Sequence, residues 1–210
     1  MSTRLFLIRH GHSRSAAERV VLGHACTGLS ELGQRQAEAL RGRLERTGEL
    51  RDASAFYASV MRRAHETAEL IAPAIGDGGL EIRNDCGLCE QHPGEADGIS
   101  FDEYDKAYGT IETLLVKDRS WIGAPGSESV DAMVARVGAA LQMISDEHSG
   151  DTVVVACHGG VVGCSFEALA GIPIGTLVHF VDNTAITEWL DDGERWRLVR
   201  YNDAGHLADL

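Results

Sequence analysis

Apolar residues along this chain fall into two alternating patterns. Short unbroken runs, Leu5-Phe6-Leu7-Ile8, Ala55-Phe56-Tyr57-Ala58 and Val153-Val154-Val155-Ala156-Cys157, read as buried strands over residues 4–9, 55–58 and 152–157. Between them apolar positions recur at helical spacing. Ala37, Leu40 and Leu44 predict a helix over about 31–47, capped by Ser30 and closed by Gly48. A second helix over about 60–72 stops at Pro73 and Gly76. Val130, Met133, Val134, Val137, Leu141 and Ile144 form one face of a long helix to about 148, with Ser127 or Ser129 as its cap. Another helix follows over about 159–170. Leu80-Glu81-Ile82 predicts an edge strand, and residues 177–181, 184–190 and 195–201 predict closing strands, the last two joined near Asp192-Gly193. Residues 84–126 are the least regular, with a polar helical stretch near 100–109. Strands alternating with helices predict an α/β layered fold.

Two of the buried runs end alike. The first closes on Arg9-His10-Gly11-His12 and the other on His158-Gly159-Gly160. Strands of a parallel sheet deliver their last residues to the carboxyl edge, where open α/β sheets bind ligands. Arginine carries forked donors that fit a phosphate. A neutral imidazole is a nucleophile near pH 7. Gly11 leaves out a Cβ beside the histidine, which would let a ligand approach the backbone.

Further motifs extend the pattern in order. Leu29-Ser30-Glu31-Leu32-Gly33-Gln34-Arg35-Gln36-Ala37 opens the first long helix, and Ser59-Val60-Met61-Arg62-Arg63-Ala64-His65-Glu66-Thr67 follows the second strand. Leu88-Cys89-Glu90-Gln91-His92-Pro93-Gly94-Glu95-Ala96-Asp97-Gly98, Pro125-Gly126-Ser127-Glu128-Ser129, Asn183 and a tail from Asn202-Asp203 to His206-Leu207 complete it. Over nearly its whole length the chain resembles the histidine phosphatase superfamily, also called phosphoglycerate mutase-like. The resemblance implies a three-layer α/β/α fold with a mostly parallel central sheet, in one domain over residues 1–210. It also implies a phosphohistidine at His10, with Glu90 as proton donor. Homodimers are common among such relatives.

Bulk properties narrow the picture. At 210 residues, 44% hydrophobic and 24% charged, the chain has the composition of one globular domain. No apolar run approaches the roughly 20 residues of a membrane span, and Met1-Ser2-Thr3-Arg4 enters the first strand with no signal peptide. A formal net charge of −13 opposes nucleic acid and anionic membranes as partners. It also demands a locally basic pocket for any phosphorylated substrate. Five cysteines, Cys26, Cys86, Cys89, Cys157 and Cys164, with no secretion signal predict a reduced, cytoplasmic setting. Cys86 and Cys89 have C-x-x-C spacing. A redox or zinc role needs a thioredoxin-like context or a second ligand pair, and the sequence offers neither, so these read as incidental thiols.

The chemistry follows from the residue types. Phosphoryl transfer needs an in-line nucleophile, donors for the charge on the equatorial oxygens, and a proton for the leaving oxygen. His10 is the candidate nucleophile, provided its other ring nitrogen is held by a carbonyl. Arg9, Arg63 and His158 are candidates to neutralise the phosphate, and they supply the charge a metal would otherwise give, so no metal or cofactor is required. Glu90 is the candidate acid, ahead of Glu95 and Asp97, because a carboxyl beside a bound dianion tends to hold its proton. Asn183 and backbone groups at Gly11 and Gly159 are candidates for further phosphate contacts. Arg62 is the surface neighbour most easily mistaken for Arg63. His65 and His92 read as solvated, and His206 either orients the tail or is exposed.

Two departures from the family pattern bear on substrate. His12 stands where many members have Glu or Gln, and Ala16 where many have a phosphate-binding Asn, with Ser13 or Ser15 as replacements. Phe101 to Ser120 lacks the enclosing substrate loop of true mutases, which favours hydrolysis. Phe101, Tyr104 and Trp121 are open to two readings, pocket wall or packing. The first reading is a phosphomonoesterase for a small metabolite. A bisphosphoglycerate-dependent mutase and an inactive phosphate-binding member are the alternatives.

Overall fold

The computed structural model describes residues 1–21, 23–109, 123–174 and 181–210. Its strands are β1 (Thr3–Arg9), β2 (Ala53–Ala58), β3 (Ile82–Asn84), β4 (Thr152–Cys157), β5 (Ile186–Asp191) and β6 (Trp196–Asp203). They form one sheet in the order β3-β2-β4-β1-β5-β6. The pairs β2/β3, β2/β4 and β1/β4 are parallel, whereas β1/β5 and β5/β6 are antiparallel. The helices are α1 (Arg14–Glu18), α2 (Glu31–Thr47), α3 (Arg62–Ile71), α4 (Phe101–Tyr108), α5 (Val130–Glu147) and α6 (Gly159–Ala170).

The unbroken apolar runs are explained by burial on both faces of the sheet. Alternate side chains divide between two cores. Leu5, Leu7, Val153, Val155 and Trp189 pack under α5 and α6, against Met133, Val137, Leu141, Ile144, Val161 and Phe166. Phe6, Ile8, Phe56, Val154 and Ile186 pack on the other side, against Leu40 and Leu44 of α2 and Ile71 of α3. This is the expected α/β/α architecture with a mostly parallel sheet.

Capping residues fix the helix ends. Ser30 accepts from the Gly33 N–H at the start of α2, and Gly48, at φ 66°, ends it. Ser129, rather than Ser127, caps α5. Ser100 and Glu103 form a reciprocal capping box on α4.

One expectation is corrected, one element was not anticipated and one open reading is resolved. The edge strand expected at 80–82 lies at Ile82–Asn84, because Gly78 and Gly79 take left-handed φ of 119° and 93° and prolong the turn. Helix α1 was not expected; it is five residues long, lacks apolar periodicity and owes its start to the Ser13 cap. Tyr104 is buried with Ala96 and Ala124, and Arg19 lies over the Phe101 ring, so both aromatics have packing roles. The strand expected at 177–181 and the position of Trp121 fall outside the described residues, apart from Val181, which is not in a strand. No helix among the described residues is long and apolar enough to cross a membrane.

Candidate active site

The sheet register brings distant residues to one edge. Arg9 is the partner of Cys157, and Ala58 of Ala156, so the chain leaves β1, β4 and β2 side by side. The next residues are His10, His158 and Ser59. Strand β5 runs the other way, and its first residue, Ile186, pairs with Ile8, which brings Asn183 to the same edge.

His10 is buried and held at both ring nitrogens. Nδ1 lies 2.7 Å from the Gly11 carbonyl oxygen, and Nε2 accepts from Arg63 Nε at 3.1 Å. The consistent tautomer carries its proton on Nδ1 and its lone pair on Nε2. Burial, then Arg63 and Arg9, hold the imidazole pKa well below its usual 6.5. The histidine is therefore neutral around pH 7.

Arg63 is buried beside it, and Thr67 Oγ1 donates to the Arg63 carbonyl at 2.7 Å. The neighbouring Arg62 points outward to Glu66 at 2.6 Å, which separates the two arginines. Arg9 donates Nη1 to the Val181 carbonyl, while its buried Nε has no hydrogen-bond partner. Burial lowers the Arg9 pKa, opposed by Glu90 and Asp182. A Cβ at Gly159 would lie 3.4 Å from Arg9 Nε, so the glycine leaves this guanidinium uncovered.

The His158 ring meets that of His10 edge-on, with centroids 5.0 Å apart. It is fully buried, and burial followed by Arg63 and His10 pulls its pKa well below 6.5. His158 Nε2 lies 2.8 Å from Ser59 Oγ, and Ser59 donates to Cys89 Sγ at 3.4 Å. With the Met61 N–H also donating to Ser59 Oγ, the consistent arrangement has His158 donating from Nε2. That leaves Nδ1, buried and without a partner. Glu90, half-buried, accepts from the Gln91 N–H at 3.0 Å and from the Gly160 N–H at the start of α6 at 3.1 Å.

Of the remaining sequence candidates, Gly11 and Asn183 contact His10, and the others are held by structural partners of their own. The Gly11 N–H donates to Thr67 Oγ1 at 3.1 Å. A Cβ on Gly11 would lie 2.5 Å from the Gly33 carbonyl oxygen, so the glycine is required by packing on α2, not by ligand approach. Asn183 Nδ2 donates to the His10 carbonyl at 2.9 Å. His12 Nδ1 contacts Ser30 Oγ at 2.9 Å. Ser13 and Ser15 are hydrogen-bonded to each other, and Ser13 caps α1 as well. Asp97 accepts from the Gly23 N–H, which gives it a structural task.

Two histidines depart from their expected solvated settings, and His206 takes the tail-orienting one of its two expected roles. His92 is half-buried and stacks on the exposed His24, with centroids 4.9 Å apart. His65 is half-buried and 3.5 Å from Glu69. His206 Nε2 contacts Thr184 Oγ1 at 2.8 Å, tying the tail to the segment that follows Asn183. Sequence reasoning missed Ser59 as a partner of His158, although it opens the Arg63 motif. It also missed His24, which lies near Cys86 and Cys89 in space but has no local signature.

The buried imidazoles set a pH dependence of stability. Burial, then Arg43, pulls the His206 pKa down to about 4, and His10 and His158 are also depressed. The unfolded chain binds these protons near pH 6.5, before the folded state does. Their contribution is thus complete above about pH 6.5 and is lost as pH falls through the folded values. Urea midpoints measured from pH 7.5 to 4.5 should fall steadily below about 6.5; a flat series down to pH 5 would contradict these burials.

Two arginines, two histidines and a carboxylate thus meet at the carboxyl edge of the mixed α/β sheet. Residues 5–204 match the histidine phosphatase superfamily (branch 1), and the chain belongs to that family. It is 32% identical to phosphoglycerate mutase-like protein 4 of Arabidopsis thaliana over 207 residues, covering 98% of this chain and 87% of that protein. A metal-independent phosphoserine phosphatase of the same plant is 28% identical over 215 residues (99% and 84%). A 2,3-bisphosphoglycerate-dependent phosphoglycerate mutase of Brucella melitensis is 30% identical over 188 residues (89% and 90%). Three mycobacterial relatives are longer, and the chain spans 55% of their length. Among solved structures, a mycobacterial glucosyl-3-phosphoglycerate phosphatase in complex with VO3 superposes with a TM-score of 0.81 at 27% identity, covering 95% of this chain and 98% of the other.

Proposed function

We propose that this protein is a metal-independent phosphomonoesterase for a small phosphorylated metabolite. The observation that carries the reading is a set of unsatisfied buried nitrogens around an oriented imidazole. Arg9 Nε and His158 Nδ1 are buried without partners, beside a His10 whose lone pair is fixed on Nε2. Buried polar nitrogens are normally satisfied; a bound oxyanion would accept directly from Arg9 Nε, and from His158 Nδ1 once that ring takes up a proton with the dianion.

In the first step His10 Nε2 attacks phosphorus as the bond to the ester oxygen breaks. Arg9, Arg63 and His158 hold the equatorial oxygens, and Glu90 gives its proton to the leaving alkoxide. In the second step water attacks the phosphohistidine. Glu90 takes a proton from that water, and phosphate leaves with His10 restored. Gly11 and Asn183 position the nucleophile through its carbonyl and Nδ1 contacts, and Gly159 opens the N-terminal end of α6 toward the anion.

The phosphatase relatives support hydrolysis. The Brucella relative supports mutase action as the second reading. Intact Arg9, His10, Arg63, Glu90 and His158 weigh against an inactive member. The test is phosphate release from a panel of phosphomonoesters with EDTA present, run beside 3- to 2-phosphoglycerate conversion with bisphosphoglycerate added. EDTA-resistant release that outpaces isomerisation is the expected result. Isomerisation outpacing release would make the protein a mutase, and inactivity on both would reject the enzyme reading for these substrates.

A further inference from the structure

The acid motif holds a second constellation on the surface side of Ser59. Cys86 and Cys89 lie at the two ends of a single helical turn, with their sulfurs 3.3 Å apart. One ring nitrogen of His24 joins them, and all three donor atoms lie within 4.8 Å of one another. A tetrahedral zinc ion with bonds of about 2.0–2.3 Å places its donors about 3.5–3.8 Å apart, so little adjustment is needed. Cys86 and His24 are exposed, which provides an entry path, while Cys89 is buried.

The donors are held before any ion arrives. Arg136 Nη1 lies within hydrogen-bond distance of the carbonyls of Cys86, Gly87 and Cys89, at 3.4, 2.9 and 3.0 Å, and its guanidinium is fixed by Glu128. Asp85 caps the turn through the Gly87 N–H at 2.7 Å. His24 is stacked on His92. The preceding Gly23 donates to Asp97 and packs on Pro93 so closely that a Cβ there would lie 2.7 Å from the ring. Supports of this kind orient metal ligands.

We propose that Cys86, Cys89 and His24 form a binding site for a thiophilic divalent cation, with Zn²⁺ as the fitting ion. Binding releases the two thiol protons to solvent and forms two sulfur–metal bonds and one nitrogen–metal bond. The fourth position faces water. The ion would sit at the outer end of the chain of contacts that runs from Cys89 through Ser59 to His158.

The site is tested with the whole reduced protein, stripped of metal and titrated with Co²⁺. One equivalent should produce the visible bands of tetrahedral cobalt with thiolate charge transfer, and Zn²⁺ should displace it. Cys86→Ser and His24→Ala, both exposed positions, should leave the circular dichroism spectrum intact and weaken binding at least about tenfold. Cobalt binding unchanged in either variant overturns the proposal, as does a spectrum without thiolate bands. A mass two hydrogens lighter in air, with no metal uptake after reduction, would instead make the pair a disulfide and equally overturn it. The readout is spectroscopic, so its failure is separate from failure of the phosphatase reading.

Discussion

Replacing His10 by alanine should lower turnover by about 10⁴-fold or more, because the covalent route through a phosphohistidine is then closed. The loss should fall on kcat, since Arg9, Arg63 and His158 remain to hold phosphate. In the wild-type protein, acid-stable quenching is unsuitable for the trap, because phosphohistidine is acid-labile; an alkaline quench with ³²P-labelled ester should capture label on the chain. The alanine variant should carry none. Its fold should persist, as the His10 side chain makes few bonds beyond Arg63 and the adjacent carbonyl. A variant retaining a tenth of normal turnover would sink the covalent mechanism.

Glu90→Gln has the second largest expected effect, about 10²–10⁴-fold on alkyl phosphate esters. Glutamine keeps an oxygen for one of the two N–H groups that Glu90 now accepts, from Gln91 and Gly160, so its position should change little. What it lacks is the transferable proton. p-Nitrophenyl phosphate has a leaving group that needs no proton, so its first step should be spared. Dephosphorylation still needs a base, so the variant should show a burst of nitrophenolate and accumulate phosphohistidine. An equal single-turnover loss on both esters would mean that Glu90 works by placement alone.

These two residues were legible because their surroundings are local. His10 and Arg9 close an unbroken apolar run, and such runs end at the ligand edge of a parallel sheet. The same logic identified His158. Arg63 was separable from Arg62 only through the motif, and burial confirms their separate settings. What remained hidden depends on long-range packing. Gly11 reads as an opening for a ligand until Gly33 of α2 is found against it. Ser59 reads as a strand end until β2 and β4 pair and bring it to His158. The C-x-x-C pair reads as incidental because its third donor, His24, lies far away in the chain, in a loop with no periodicity to place it. Helix α1 escaped for a related reason: five residues give too little pattern to register.

The pairing of β1 with β4 also has a consequence in time. His10 and Asn183 are 173 residues apart, and Ser59 and His158 are 99 apart, yet each pair is in contact. A chain emerging from the ribosome displays His10 early, as an ordinary solvated imidazole. Arg63 follows, but the strand that carries His158 arrives only after most of the chain has been made. Until β4 inserts between β1 and β2, the sheet lacks its centre and the phosphate cradle has no walls. The cradle is therefore completed late, and the newborn chain carries His10 for most of its synthesis without the residues that surround it in the folded protein.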